Sequence, residues 1–340
     1  MDVAVLGGTG VISRCIVDEL VKKKAGVTVI NRGTRSVTLP EGVSMIVADK
    51  SDEEAFARAL GNRTFDAVID MIAFTESDAR HTVEFFDGKT DHLLVCSSIA
   101  AYKRPPRSIP TQEITEELFD DPVFTYAFNK AKMERYLATL PGWTSGNSKD
   151  GPAITIFRPS LTFGDGARNV GLLRQNYNLV ERIRLGKPLV MFGDGTTPFS
   201  FSFASDVAVG IAGLVGNKAA FGEAYHICSE ERSLWQDLYL KMGEILGKPV
   251  DLVYIPAKTL YEALPDLCHH LYFEKRFPGL FDNTKIRSVV PEFNPKHTLR
   301  SGLEMLIESW ERDGLKLDPE KDELEDRLIE ATLLYKNSLQ

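Results

Sequence analysis

Cysteine is scarce in this chain and never clustered. Its four cysteines, Cys15, Cys96, Cys228 and Cys268, are scattered over 340 residues, and no C-x-x-C pair occurs. That spacing excludes a zinc ribbon or a disulfide framework; no metal site is expected, and a reducing, cytoplasmic setting fits best. No apolar run approaches the roughly 18–20 residues that a membrane span requires. No basic stretch with an apolar core and a cleavage site opens the sequence, so no secretory signal is read there. Positive charge is in deficit: 40 Lys and Arg against 48 Asp and Glu leave a formal charge of −8. Nucleic-acid binding usually leaves a basic footprint, so the balance argues against such a partner. A hydrophobic fraction of 43% with 26% charged residues excludes a disordered chain.

What is present is a strand–helix alternation. Apolar, β-rich runs at Val3–Leu6, Val27–Ile30, Ser44–Val47, Ala67–Ile72, Leu93–Cys96 and Ala153–Phe157 predict strands. Helical spacing at Val11–Lys24, Glu53–Leu60 and Glu76–Phe86 falls between them. Runs that are apolar throughout predict parallel strands buried on both faces. The expected fold is α/β: a Rossmann-type doubly wound parallel sheet over residues 1–165, then a smaller C-terminal α/β substrate lobe over 166–340 with segments returning to the sheet. Helices are expected at Ser205–Val215, Leu234–Leu246 and Leu299–Trp310, and exposed loops at Lys103–Pro110 and Pro141–Pro152. Glu320–Tyr335 reads as an amphipathic helix with Leu324, Leu328, Ala331 and Tyr335 inward.

Gly7-Gly8-Thr9-Gly10-Val11-Ile12-Ser13 joins the first strand to the first helix. Glycines there allow a tight turn and close approach of a pyrophosphate to a helix N-terminus. That place in a strand–turn–helix unit, rather than the glycines alone, predicts a dinucleotide site. The second strand runs into Asn31-Arg32-Gly33-Thr34-Arg35. An acidic residue here would bind the ribose hydroxyls of NAD. Asn31 lacks that charge, and Arg32 and Arg35 offer guanidinium forks to a 2′-phosphate, which favours NADP over NAD. Asp49, after the third strand, either faces the adenine or caps the following helix.

Ser97-Ser98 ends the fifth strand, at the sheet edge where such folds bind ligands. Downstream, Tyr126 and Lys130 stand four apart and share a helix face. A neighbouring ammonium and a cationic nicotinamide ring would both favour the phenolate. Lowering a tyrosine pKa by about three units takes roughly 4 kcal/mol. Tyr126 is then the expected acid/base at a carbonyl or carbinol oxygen, Ser98 holds that oxygen, and Lys130 also holds the nicotinamide ribose.

With these motifs the sequence resembles an extended, partly atypical short-chain dehydrogenase/reductase of the NAD(P)-dependent epimerase/dehydratase superfamily. The resemblance also rests on Ser97–Tyr102, Phe157–Ser160, Phe192–Gly195, Ser205–Ala208 and Asp282–Lys285. It selects Ser98 rather than Ser97 as the active-site hydroxyl. It implies that Pro159 and Ser160 border the nicotinamide carboxamide, that Ala73 lines the nicotinamide side, and that the protein is a homodimer. The chain departs from the pattern in three places. Ser13 replaces the third glycine. Asp70-Met71-Ile72-Ala73-Phe74, with Asn31-Arg32-Gly33, resembles a branch that includes chloroplast stem-loop RNA-binding proteins. Thr196–Phe199 stands where nucleotide-sugar enzymes carry an arginine for the substrate diphosphate, leaving Arg168, Arg174 or Lys187 as substitutes.

The expected activity is hydride transfer between nicotinamide and a carbinol or ketone carbon of a small molecule. Nucleotide-sugar epimerisation with retained NAD is the alternative, and a non-catalytic or RNA-binding member is a further one. Dehydration is disfavoured because Ile99 and Ala100, both apolar, follow Ser98. His226 and Cys96 are expected to be inert core groups. Trp235, Phe199, Phe201 and Phe203 are expected in packing. His269-His270 is read as a surface or partly buried pair rather than as part of the substrate cleft.

Overall fold

The structure, a computed structural model, describes residues 1–34, 38–144, 151–168 and 170–338. Seven parallel strands form one sheet. Six come from the first half: β1 (Asp2–Leu6), β2 (Gly26–Asn31), β3 (Ser44–Val47), β4 (Phe65–Asp70), β5 (Thr90–Cys96) and β6 (Ala153–Pro159). The order is β3-β2-β1-β4-β5-β6, and Glu223–Ile227 adds the seventh strand beside β6. The order reverses between β1 and β4, which opens a crevice at their carboxyl ends. Register places Val5 beside both Val29 and Ile69, so these side chains fall on the same sheet face.

Alternation along each strand sends apolar side chains both ways. Val3 and Val5 pack with Ile16 and Ile211, from helices Val11–Lys22 and Ala204–Leu214. Ala4 and Leu6 pack with Phe86 and Met133, from Glu76–Phe86 and Thr125–Leu137. A further core, built around Trp310 and Trp235, belongs mainly to the later half. Its chain returns to the sheet through Ala204–Leu214 and Glu223–Ile227. Among the described residues, no helix is long and apolar enough to cross a membrane.

Four expectations need correction. β4 ends at Asp70, not Ile72, because the Asp70 carboxylate accepts the Ile72 amide at 2.9 Å and turns the chain. The expected Leu234–Leu246 helix begins at Asp237; Asp237 instead accepts the Leu234 amide at 2.7 Å and lets Ser233–Leu234 pair with Pro198–Phe199. Pro141–Thr144 is a helical turn rather than loop, and 145–150 lie outside the described residues. The last helix, Pro319–Asn337, docks on a different face from the one expected. Glu325 and Ile329 are buried, whereas Ala331 and Tyr335 are exposed. Ile329 and partly buried Leu328 join the core, and the remaining contacts are ionic. Fully buried Arg182 bonds Asp322 at 2.5 Å and Asp326 at 2.9 Å, with Glu325 at 3.5 Å. A search for an apolar stripe overlooks a face made of carboxylates.

Two core histidines give the fold an acid limit. His92 Nδ1 accepts the Gly216 amide at 3.1 Å, so its Nε2–H donates to Thr155 at 2.8 Å. His226 Nε2 lies 2.7 Å from the Tyr102 hydroxyl and its Nδ1 3.3 Å from the Asp282 carbonyl. Burial, aided at His226 by the Arg158 charge, pushes both pKa values down to about 3. The unfolded value is about 6.5, so between these limits the unfolded chain binds more protons. Stability therefore falls as pH drops below about 6.5, by about 2 kcal/mol per ring at pH 5. Urea melts at pH 7 and pH 5 should show this loss, and because burial also pushes His270 down to about 3, His92→Gln should remove about a third of the histidine share. An equal drop in that variant would exclude His92 as a source.

Candidate active site

Parallel strands bring their carboxyl ends to one edge, and there β1, β2, β4, β5 and β6 deliver Gly7, Asn31, Asp70, Cys96 and Pro159. The turn after β1 is as tight as its glycines imply. Gly7 has φ +75°, and a Cβ on it would meet Ile72 at 2.3 Å; one on Gly8 would meet Val29 at 2.8 Å. Helix Val11–Lys22, which includes Ile12, starts from Gly10 without a side-chain cap. Its first amides are thus free for an anion. Ser13, in the third-glycine position, is buried and tolerated.

A cleft of about 580 Å³ opens over this turn, lined among others by Gly7, Thr9, Asn31, Arg32, Asp49 and Lys50. Asn31 does more than remove a charge: its Oδ1 accepts the Gly33 amide at 2.8 Å and shapes the turn that carries Arg32. Arg32 is exposed at the rim and forms no ion pair among the described residues. Arg35 lies outside the described residues. The Asp49 carboxylate accepts the Ser51 amide and hydroxyl at 2.9 and 2.8 Å, and these bonds hold its pKa low. Asp52, not Asp49, caps the next helix. Sequence reasoning missed Lys50. Its ammonium is 2.6 Å from fully buried Asp70, and Thr82 donates to the same carboxylate oxygen at 2.6 Å. The only sequence signal was a lysine just after Asp49.

Ser98, Tyr126 and Lys130 come together one strand farther along. Ser98 leaves β5 and caps the Ile99–Ala101 turn, accepting the Ala100 amide at 3.2 Å. It stands near enough to the Tyr126 phenol to favour its ionised form. Ser97 points the other way and donates to buried Glu134. Lys130 is buried, and its ammonium donates to the carbonyls of Ala73 and Cys96, each at 2.6 Å. Those bonds tie β4, β5 and the Thr125–Leu137 helix together. An ammonium has three N–H groups, so one stays free for a ligand.

Tyr126 is 42% exposed, yet desolvation of its hydroxyl raises its pKa, and the neighbouring Ser98 opposes the rise. The nearby ammonium is spent on carbonyls, so by itself it does not ionise the phenol. Tyr126 stands protonated, the form suited to donating a proton to a carbonyl oxygen. Burial likewise lowers the Lys130 pKa and lifts that of Cys96 to about 11, an inert thiol. Pro159 ends β6 beside this group. Ser160 is buried and bonds the Ser202 hydroxyl at 2.6 Å.

Beneath the site lies a buried polar chain that the sequence did not disclose. Arg158 donates through Nε to Glu134 at 2.9 Å and through Nη1 to the Tyr102 hydroxyl at 2.6 Å, and Tyr102 in turn meets His226. Glu134 is also the partner of Ser97, so the network fixes the Ser97-Ser98 turn from below.

Residues 3–228 match the NAD dependent epimerase/dehydratase family. The chain belongs to this family. It is 27% identical over 294 residues to a 2'-dehydrokanamycin reductase of Streptomyces kanamyceticus, covering 86% of this chain and 80% of that protein. Its fold matches an epimerase of Methanothermobacter thermautotrophicus with a TM-score of 0.73 at 19% identity, over 92% of each chain. It also matches the UDP-glucuronic acid 4-epimerase of Bacillus cereus, solved with NAD, with a TM-score of 0.69 at 18% identity, over 92% of this chain and 99% of that one. The family member described here is thus an enzyme of NAD-dependent oxidoreductase or epimerase type.

Proposed function

We propose that this family member is a carbonyl reductase or alcohol dehydrogenase that prefers NADP and acts on a small molecule, with Tyr126 as acid/base. The observation that carries the reading is the meeting of Ser98, Tyr126 and Lys130 beside the glycine turn. A bound nicotinamide supplies or accepts the hydride. Tyr126 donates its proton to the substrate oxygen as negative charge develops there. Ser98 holds that oxygen, and the fixed Lys130 charge stabilises the phenolate that remains. The third Lys130 N–H is free for the nicotinamide ribose, with Ala73, Pro159 and Ser160 bordering the ring.

Net reduction is favoured over nucleotide-sugar epimerisation by what became of the substitute cations. Arg168 pairs with Asp313 at 3.2 Å, and Lys187 pairs with Asp322 and Asp326 at 2.7 and 2.5 Å. Neither is left for a diphosphate; Arg174, exposed and without an ion pair among the described residues, is the one substitute that remains. The curated relative, named a reductase, points the same way.

The test is to denature the purified protein and identify any released dinucleotide by mass and absorbance. The expected result is an empty protein that binds NADPH reversibly. Near-stoichiometric NAD would overturn the reading in favour of epimerisation. Exposed Arg32, at the cleft rim, is assigned to the 2′-phosphate. Arg32→Ala should weaken NADPH by about 10–100-fold, the worth of a charge-assisted hydrogen bond, and leave NADH within about threefold. Equal losses in fluorescence titrations would remove the NADP assignment.

A further inference from the structure

Hydride transfer makes no direct use of Asp70, yet this carboxylate ends β4 at the cleft and is shut from water. A buried ion at the end of a central strand is costly unless its lone pairs are filled. Here they are filled from three directions. Oδ1 accepts the Ile72 amide at 2.9 Å, and Oδ2 accepts Lys50 Nζ and Thr82 Oγ1, each at 2.6 Å. Lys50 comes from the loop after β3 and Thr82 from the Glu76–Phe86 helix, so the carboxylate is clamped from two other segments. Asp70 pairs in register with Leu6 of β1 and Val95 of β5. Gly7 follows the first and Cys96 the second, so the turn that Asp70 starts lies between the glycine turn and the Lys130 anchor. The residues leaving the clamp reach both. Ile72 closes over Gly7, 2.3 Å from where a Cβ would stand. The Ala73 carbonyl accepts Lys130 Nζ at 2.6 Å, and the Phe74 ring lies 4.8 Å from the same ammonium, within cation–π range. Burial lowers the Lys130 pKa, and the Asp70 charge is among those that oppose the fall.

We propose that Asp70, clamped by Lys50 and Thr82, is a positioning residue for Lys130 and acts through the Ile72-Ala73-Phe74 turn. The proposal rests on reading Lys130 as the group that holds the nicotinamide ribose, whichever reaction follows. A carbonyl anchors an ammonium only as firmly as the turn that carries it. The bond from the Asp70 carboxylate to the amide two residues on is what fixes this turn. It is charge-assisted, and Lys50 and Thr82 hold the carboxylate so that its other oxygen stays aimed at Ile72. With the clamp loosened, the Ile72 amide turns away and carries Ala73 and Phe74 with it. Lys130 then loses one of its two carbonyls and its ring contact, and its free N–H no longer points at a fixed place in the cleft. Lys50 itself lines the cleft, so a change there mixes direct and indirect effects. Thr82 does not line it, which makes Thr82 the cleaner probe of the clamp.

The experiment titrates the whole protein by calorimetry and needs no turnover. The affinity for NADPH is divided by that for its adenosine half, 2′,5′-ADP; if NADH binds tighter, NADH and ADP take their place. Changes at the adenosine end cancel in this ratio, which reads the hold on the nicotinamide half. Lys130→Met should cut the ratio by about 10–100-fold, the scale of a hydrogen bond to a charged group. Asp70→Asn turns an N–H toward donors and should cut it by about tenfold. Thr82→Val keeps the shape and loses the donor, and should cut it by about three- to fivefold; Thr82→Ser keeps the donor, loses a methyl and should retain it. Packing alone predicts the reverse order for the Thr82 pair, with serine the worse. If Asp70→Asn fails to fold, the Thr82 pair decides. A ratio that falls in Lys130→Met but not in Asp70→Asn or Thr82→Val overturns the positioning role and leaves Lys130 as the ribose anchor. Serine lowering it as much as valine does the same. A ratio that Lys130→Met leaves unchanged overturns both, as does a wild type that binds neither dinucleotide.

Discussion

Tyr126→Phe is expected to lower turnover by about 10²–10⁴-fold, the usual worth of a positioned general acid. The dinucleotide should still bind within about threefold of wild type, because the glycine turn and the Lys130 anchor to Ala73 and Cys96 are untouched. Phenylalanine fills the same volume, and the ring contact with Phe124 at 6.4 Å does not need the hydroxyl. The loss is then chemical rather than structural. Its burial-raised pKa sharpens the expectation, since a protonated phenol is present throughout the neutral range. Single-turnover kinetics beside dinucleotide titration separate the two. Near-normal turnover in the variant would end the acid/base role.

Glu134→Ala is expected to cost about 3–5 kcal/mol of stability, the scale for breaking a buried ion pair from one side. Glu134 and Arg158 are both almost fully buried, and the carboxylate takes Arg158 Nε at 2.9 Å as well as the Ser97 hydroxyl. Removing it strands a guanidinium and a hydroxyl in the core. The apparent melting temperature should fall by several degrees. Because Ser97 leads directly to Ser98, kcat should fall as well, in protein kept folded at low temperature. Glu134→Gln keeps the shape and one acceptor and should lose less on both counts. An unchanged melt in Glu134→Ala would show that the pair adds no net stability.

Much of the site was legible before the fold was known. Gly7–Gly10 between a strand and a helix needs only local geometry, because a tight turn and a close approach demand glycine. Tyr126 and Lys130 share a face because a helix repeats every 3.6 residues. Other parts were hidden for a physical reason. Lys130 and Glu134 are charged residues on the buried face of their helix, so its apolar pattern is faint. Arg182 and Glu325 hide the docking of the last helix in the same way, since charges read as solvent-facing until a partner is seen.

The sequence alone determined the alternating architecture, the glycine turn after the first strand and the residues proposed here for proton and hydride chemistry. Each depends on contacts within a few positions along the chain, or on a residue's intrinsic conformational freedom. Only the tertiary structure decided which partner each polar group meets. It turned Ser97 inward and Ser98 to the phenol, committed Lys130 to two carbonyls, and tied Lys187 to the last helix. It also left Nε and Nη1 of Arg104 without a hydrogen-bond partner. Those partners are tens to hundreds of residues apart, and burial rather than composition determines whether a charge is satisfied, shifted or left unpaired.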